Sequence, residues 1–177
     1  EKILLVDADS LCFHRKESTY EEARETLIKK IEYMKKVTGI DNLEFYLTMT
    51  KNFRYDIFSD YKANRKGTSK PEHTNRLKQF LQTEYGAKWS DGVEADDLVT
   101  DLYRTNENKY TIASIDKDII CNINGTHLNL YDMSWLETTK EMAHEHFHKQ
   151  IIIGDVIDGI PSIQKGLGKA RITIGEK

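Results

Sequence analysis

Ile3-Leu4-Leu5-Val6-Asp7 is a short apolar run that ends on an acid, and Tyr110-Thr111-Ile112-Ala113-Ser114-Ile115 is a similar run that leads into Asp116. Apolar runs of this length are typical of strands that are buried inside a sheet. Two further strands are predicted over residues 43–49 and 127–131.

Helical patterns alternate with these strands. Ser18 and Glu21 fit a capping box at the start of a helix that Gly39 ends. Further helices are predicted over residues 73–82, 94–104 and 139–153. This alternation predicts an α/β fold with a mostly parallel central sheet and helices on both faces. Because ligands bind beyond the carboxyl ends of parallel strands, Asp7 and Asp116 are expected at one functional edge.

Acidic residues follow apolar or turn segments at four places in the chain. The four groups are Asp7; Glu94, Asp96 and Asp97; Asp116 and Asp118; and Asp155 and Asp158. Buried carboxylates are costly unless something neutralises them, and hard divalent cations bind oxygen ligands. These eight carboxylates predict a two-metal site for phosphodiester chemistry. Two simpler interpretations stay open, namely helix capping by residues 94–97 and a plain turn at residues 116–118.

The composition is that of a folded domain. The chain has 177 residues, of which 38% are hydrophobic and 31% charged, so a single domain with its own core is expected. No apolar run approaches the roughly 20 residues that cross a bilayer, so no membrane location is expected. Cys12 and Cys121 suggest no disulfide framework and no signal peptide is expected, which predicts a cytoplasmic location.

Residues 62–78 are strongly basic, although the whole chain has a formal net charge of −3. This segment contains one acid, Glu72, and six basic residues: Lys62, Arg65, Lys66, Lys70, Arg76 and Lys78. A basic strip beside an acidic pocket suits an enzyme that cleaves a polyanion. Lys62 and Arg65 can neutralise a phosphate, and Tyr61 can stack on a base. A solvated surface loop is the simpler alternative for this segment.

Five motifs in order give the chain a resemblance to the 5′ nuclease family, which includes flap endonucleases, the 5′-exonuclease domain of bacterial DNA polymerase I and phage 5′–3′ exonucleases. The motifs are Leu4-Leu5-Val6-Asp7, Tyr61-Lys62-Ala63-Asn64-Arg65, Glu94-Ala95-Asp96-Asp97, Asp116-Lys117-Asp118 and Gly154-Asp155-Val156-Ile157-Asp158-Gly159-Ile160-Pro161. Gly166-Leu167-Gly168-Lys169-Ala170 then resembles the family's helix–three-turn–helix hairpin. The sequence Asn64-Arg65-Lys66 is most similar to that of compact phage exonucleases.

The resemblance implies a PIN-like catalytic domain over residues 1–154, with a helical arch at about 64–85. Residues 155–177 would begin the helix–three-turn–helix module that binds duplex DNA. Residues 169–177 make a poor helix, so this module is expected to be truncated or completed from outside this sequence.

The resemblance also implies a role for each acidic and basic motif residue. Two Mg²⁺ ions, replaceable by Mn²⁺, would be bound. Glu94, Asp96 and, through water, Asp7 would hold the first ion, and Asp116, Asp118, Asp155 and Asp158 the second. Asp97 would lie between them as a ligand and catalytic group. Lys62 and Arg65 would contact the scissile phosphate and act in catalysis. The other residues expected to bind nucleic acid are Tyr61, Lys66, Lys70, Gly166, Gly168 and Lys169, with a K⁺ ion at the hairpin.

The expected activity is hydrolysis of phosphodiester bonds near the 5′ ends, flaps or nicks of DNA, extending to RNA in RNA–DNA hybrids. It would serve replication, primer removal or recombination. A monomer in the cytoplasm is expected, inside a bacterial host cell if the gene belongs to a phage.

Two departures from the family pattern keep other functions open, namely the short C-terminal module and the residues that end the second strand. Many family members have an aspartate at the end of the second strand, whereas Leu47-Thr48-Met49-Thr50 contains no acid, which would weaken the first metal position. A PIN-type ribonuclease and a catalytically weak, structure-specific DNA-binding protein are therefore alternatives. His144-Glu145-His146-Phe147-His148 also fits the zinc-protease signature H-E-x-x-H, but no third ligand follows at a suitable spacing.

Overall fold

The computed structural model describes residues 2–13, 19–49, 52–63, 69–155, 158, 160, 162, 164–165 and 172–173. Its strands are β1 (Ile3–Asp7), β2 (Leu43–Leu47), β3 (Lys88–Trp89), β4 (Tyr110–Ser114), β5 (Gly125–Asn129), β6 (Ser134–Thr138), β7 (Gln164–Lys165) and β8 (Ile172–Thr173). Its α-helices are α1 (Tyr20–Thr38), α2 (Arg54–Ile57), α3 (Thr74–Tyr85), α4 (Ala95–Thr105), α5 (Lys117–Ile120) and α6 (Lys140–Ile153). A short 3₁₀ helix covers Ser10–Cys12.

The central sheet has the strand order β3-β2-β1-β4-β5-β6. Neighbouring strands run parallel from β3 through β5, and β6 pairs antiparallel with β5. The predicted α/β fold with a mostly parallel sheet is therefore confirmed. The two-residue β3 and the antiparallel β6 were not predicted.

The central strand β1 is buried on both faces, which explains its unbroken apolar sequence. Leu4 and Val6 pack into a core with α1 and α3, while Ile3 and Leu5 pack into a second core with α4. Successive side chains of a strand point to opposite faces, so the two cores lie on opposite sides of the sheet. The prediction of helices on both faces is confirmed.

Local capping sets the ends of α1. The Thr19 hydroxyl accepts a hydrogen bond from the Glu22 N–H, and the Glu22 carboxylate accepts one from the Thr19 N–H. The helix therefore begins one residue later than predicted from Ser18 and Glu21, and Ser18 lies outside the described residues. Gly39 ends the helix with a φ of 65°, the left-handed conformation that favours glycine.

The predicted helical arch over residues 64–85 is corrected in its second half. Leu77 and Leu81 of α3 are fully buried in the core, so this helix packs on the sheet. Residues 64–68 lie outside the described part of the chain. Helix α2, which lies before the basic segment 62–78, was not predicted.

The large apolar side chains Phe147 and Ile151 of α6 do not lie in the core. Both side chains are about half exposed, at 52% and 53%. None of the residues of α6 is buried. Among the described residues, no helix is long and apolar enough to cross a membrane.

Little of the predicted C-terminal module is described. Gln164–Lys165 and Ile172–Thr173 form a short antiparallel pair of strands. Gly166, Gly168 and Lys169 lie outside the described residues, so the helix–three-turn–helix hairpin and its K⁺ ion stay predictions.

Candidate active site

A cavity of about 740 Å³ opens at the carboxyl ends of β1 and β4. The two strands are parallel neighbours, so the residues that follow them meet at one edge of the sheet. The carboxylates that line this cavity are Asp7, Asp9, Glu94, Asp96 and Asp116. Four of these five were predicted from the sequence, and Asp9 was not.

Asp7 lies at the end of β1 and is largely buried. Its side chain is 8% exposed, and its carboxylate accepts a hydrogen bond of 3.0 Å from the Ser114 hydroxyl. Burial, followed by the nearby charges of Asp9 and Asp96, raises the pKa of Asp7 to about 7. The ionised form of Asp7 is therefore costly in this arrangement.

The acids of residues 94–97 sit at the start of α4. Glu94 is the N-cap residue, and its backbone N–H donates to the Asp97 carboxylate at 3.0 Å, so helix capping is one of their roles. Asp96 points into the cavity, where burial and then the charges of Asp97 and Glu94 raise its pKa to about 6. Glu94 and Asp97 form the capping box, whereas Asp96 lies outside it and accepts the Asp97 N–H with one oxygen at 2.7 Å.

Three side chains from residues 52–62 hold the Glu94 carboxylate. The Lys62 ammonium lies 2.8 and 3.0 Å from its two oxygens. The Asn52 amide donates to one oxygen at 3.0 Å, and the Tyr61 hydroxyl donates to the other at 2.9 Å. Lys62 adopts a φ of 54°, which is uncommon for a residue other than glycine. Residues 52–62 therefore pack directly against Glu94 at the start of α4.

Arg54 holds Asp97 in a two-pronged ion pair that was not predicted. The guanidinium nitrogens lie 2.6 and 2.7 Å from the two carboxylate oxygens. Burial raises the pKa of Asp97, but hydrogen bonds from Arg54 and the Glu94 backbone outweigh it, so the pKa is lowered. Asp97 is therefore ionised and held by Arg54, and unlike Asp96 it does not line the cavity. The sequence offered no signal for this contact, because its partners are 43 residues apart.

Asp9 supplies a carboxylate at the end of β2, where the sequence has none of its own. Its oxygens accept the Thr48 backbone N–H at 3.2 and 3.3 Å, and it forms an ion pair with the buried Lys78 of α3. The gap noted at Leu47–Thr50 is thus partly filled from the loop after β1. The spacing Asp7-Ala8-Asp9 was the available signal.

The acids predicted for the second metal are spread more widely. Asp116 lines the cavity, whereas Asp155 and Asp158 line a neighbouring apolar groove. Asp158 is connected to the cavity by the Tyr61 hydroxyl at 3.0 Å. The backbone of Asp118 lies in α5, and its side chain is not among those described.

The predicted nucleic-acid contacts are partly placed. Lys62 and Lys70 line the cavity, while Arg65 and Lys66 fall in residues 64–68, outside the described chain. Tyr61 is only 5% exposed, because Tyr55 covers its ring edge-on at 5.5 Å. Stacking of Tyr61 on a base stays a prediction, since this residue lines the cavity but exposes only 5% of its surface.

The donor set suits a hard divalent cation. Every acidic group facing the cavity offers carboxylate oxygens, the ligands that Mg²⁺ and Mn²⁺ prefer. Asp7 and Asp96 carry raised pKa values, and a nearby cation would favour their ionised forms. Among the side chains that the structure describes, no three acids, histidines or cysteines lie close enough together to hold one ion. The Lys62 ammonium occupies both oxygens of Glu94 instead.

The H-E-x-x-H motif does not form a comparable site. His144 and His148 lie on one side of α6 with their rings 4.1 Å apart, and the His148 ring bonds the His144 carbonyl. His146 contacts Asn122 instead. The described residues bring no third metal-binding side chain to this pair.

The sequence profile described as "5′-3′ exonuclease, N-terminal resolvase-like domain" matches residues 2–151. An α/β sheet with acids gathered at its carboxyl edge is the arrangement of a carboxylate-based nuclease. The chain belongs to this 5′-3′ exonuclease family, as the motif resemblance predicted. No curated protein sequence matches it.

Solved structures with similar folds come from bacteriophage T5. A flap endonuclease in a pseudo-enzyme-product complex with DNA and metal ions has a TM-score of 0.71 and 18% identity, covering 95% of this chain and 71% of that one. A mutant 5′-exonuclease has a TM-score of 0.68 and 16% identity, covering 94% and 68% of the two chains. A 5′-exonuclease with bound zinc ions has a TM-score of 0.64 and 17% identity, covering 95% and 72%. These similarities show that the fold is shared.

Proposed function

We propose that this chain is a divalent-cation-dependent 5′ nuclease that hydrolyses phosphodiester bonds near 5′ ends or flaps of DNA. The observation that carries the proposal is the juxtaposition of Lys62 with Asp7, Glu94, Asp96 and Asp116 in one cavity. A phosphodiester needs cations at its oxygens and an activated water nearby, and this group of residues is suited to provide both. The T5 flap endonuclease of similar fold was captured with DNA and metal ions, which supports the assignment.

We assign Mg²⁺, with Mn²⁺ as its substitute, to two positions at this sheet edge. Asp7, Glu94 and Asp96 would hold the first ion, while Asp116, Asp118, Asp155 and Asp158 would hold the second. When bound, such a pair of ions activates a water and stabilises the attacking and leaving oxygens of the displacement. Asp9 adds negative charge beside Asp7 and increases the demand for a cation there.

The chain's own residues then perform distinct tasks. Arg54 fixes Asp97, which caps α4 and so orients Glu94 and Asp96 toward the cavity. Lys62 lies close enough to the acids to neutralise a phosphate bound beside them. Its release from Glu94 would free the ammonium for that phosphate. Arg65, Lys66 and Lys70 would add charge along the nucleic-acid backbone.

The test uses 5′-labelled flap DNA, nicked duplex, single-stranded DNA, single-stranded RNA and an RNA–DNA hybrid. Each is incubated with Mg²⁺, Mn²⁺ or EDTA. Cutting of the flap with either ion, its absence in EDTA, and products that a DNA ligase accepts would support the proposal. Ligation requires the 5′-phosphate and 3′-hydroxyl ends that this chemistry leaves.

Two outcomes of the same test would replace the proposal. A strong preference for single-stranded RNA would identify a PIN-type ribonuclease. Binding of flap DNA without cleavage in Mn²⁺ would identify a catalytically weak DNA-binding protein. A monomeric state, a cytoplasmic location and activity on the hybrid stay predictions.

A further inference from the structure

One hydroxyl group connects two acids that are assigned to different metal positions. The Tyr61 hydroxyl lies 2.9 Å from a Glu94 oxygen and 3.0 Å from an Asp158 oxygen. Glu94 is at the start of α4, and Asp158 comes 97 residues after Tyr61, beyond the end of α6. A single side chain therefore connects two acidic motifs that are distant in sequence.

The tyrosine ring is held rigidly. It is 5% exposed and is covered by the edge-on ring of Tyr55 at 5.5 Å and by the Arg54 guanidinium at 5.9 Å from its centroid. The Lys62 ammonium lies 4.8 Å from the centroid as well. Because a tyrosine has only two rotatable side-chain bonds, these contacts leave its hydroxyl little freedom to move.

The backbone next to Tyr61 reinforces the same connection. The Lys62 N–H donates to the Asp158 carbonyl at 3.0 Å, so the turn that presents Tyr61 is itself attached to the Asp158 segment. The Lys62 ammonium lies 2.8 Å from Glu94 and 3.8 Å from Asp158. The Tyr61–Lys62 turn therefore contacts both acids through a hydroxyl, an ammonium and a backbone amide.

We infer that Tyr61 is a positioning residue whose hydroxyl fixes Glu94 and Asp158 relative to each other and so couples occupancy of the two metal positions. The inference rests on the proposed function, because it gives these two acids to different ions. Hydrogen-bonding partners behind metal ligands orient them, and their removal typically weakens metal affinity by about 10- to 100-fold. This role differs from base stacking, which needs an open ring face and no hydroxyl.

The deciding variant is Tyr61→Phe, which removes the hydroxyl and keeps the ring. Mn²⁺ binding is measured by calorimetric titration of metal-free protein without nucleic acid. We expect Tyr61→Phe to bind Mn²⁺ about 10-fold more weakly than the wild type, because only one hydrogen-bonding group is lost. Cleavage of flap DNA should be slow at low Mn²⁺ and should recover as Mn²⁺ is raised, since the defect lies in metal binding.

The matched control is Tyr46→Phe. Tyr46 is also buried, and its hydroxyl also donates to a carboxylate, that of Glu44 at 2.6 Å, but neither residue lines the cavity. This control should bind Mn²⁺ like the wild type. Urea unfolding of both variants in EDTA separates a general loss of stability from a loss of metal affinity. Recovery of cleavage at high Mn²⁺ makes the same separation, because an unfolded variant would not recover.

Unchanged Mn²⁺ affinity in Tyr61→Phe would overturn the inference, provided that the wild type binds Mn²⁺ and cuts DNA. A second variant, Tyr61→Leu, removes the ring as well as the hydroxyl. If both Tyr61 variants bind Mn²⁺ normally and only Tyr61→Leu binds DNA more weakly, the inference is overturned and Tyr61 is assigned to base stacking. A wild type that neither binds Mn²⁺ nor cuts would overturn the proposed function and this inference with it.

Discussion

Replacing Asp7 with asparagine should stabilise the metal-free protein, and the gain should depend on pH. Burial and the charges of Asp9 and Asp96 raise the pKa of Asp7 from its ordinary value of 3.8 to about 7 in the folded protein. Between these two values the unfolded chain releases this proton more readily than the folded chain does. The contribution of Asp7 to the stability of the wild type should therefore fall as pH rises through this window and level off above pH 7.

The size of the effect follows from the two pKa values. Each tenfold difference in proton affinity corresponds to about 1.4 kcal/mol, so a pKa of about 7 against 3.8 corresponds to roughly 4 kcal/mol at pH 8. Almost none of this penalty remains at pH 4. Asparagine cannot ionise, so Asp7→Asn should gain about 4 kcal/mol over the wild type between pH 4 and pH 8.

The assay is urea unfolding in EDTA at pH 4, 6 and 8, with Asp101→Asn as the control because Asp101 is exposed on α4. The control should follow the wild type at every pH. Adding Mg²⁺ at pH 8 should stabilise the wild type and the control more than Asp7→Asn. A variant that shows no pH-dependent gain, or loses stability at pH 8, would refute the argument that ionised Asp7 is poorly compensated without a cation.

Three further perturbations test other parts of the site. Arg54→Met should destabilise the protein in EDTA by about 1–3 kcal/mol. This is less than the loss of a fully buried ion pair would cost, because the pair with Asp97 is partly exposed. Unchanged urea unfolding would contradict the prediction. Lys62→Ala should slow single-turnover cleavage much more than it weakens DNA binding, whereas equal losses would make Lys62 only a docking contact. Replacing His144 and His148 together with alanine should leave flap cleavage unchanged, and a loss of cleavage would give the histidine pair a role that this account denies.

The elements that the sequence predicted are those set by local patterns. Ile3–Asp7 and Tyr110–Ser114 are buried on both faces, so their apolar runs were unambiguous, and the acids that follow them necessarily reach the same edge. The first turn of α4 was readable because Glu94 and Asp97 form a capping box within four residues.

The features that the sequence did not predict depend on distant partners. β3 has two residues, and it exists only because it pairs with β2. Asp9 reaches the end of β2 because Thr48 and Lys78, which are 39 and 69 residues away, hold its carboxylate there. The ring of Tyr61 is largely buried because Tyr55 packs against it. In each case tertiary contacts determine the placement, and a local pattern such as Asp7-Ala8-Asp9 does not specify it.

Carboxylates at the sheet edge are proposed to hold the divalent cations on which cleavage depends. The most direct test compares Asp96→Asn with Asp101→Asn, because one aspartate of α4 faces the cavity and the other is exposed. Mn²⁺ affinity and the rate of flap cleavage are measured on the same preparations. Asp96→Asn is expected to lose both tight Mn²⁺ binding and cleavage, while Asp101→Asn should keep both. Wild-type Mn²⁺ affinity and cleavage in Asp96→Asn would contradict it.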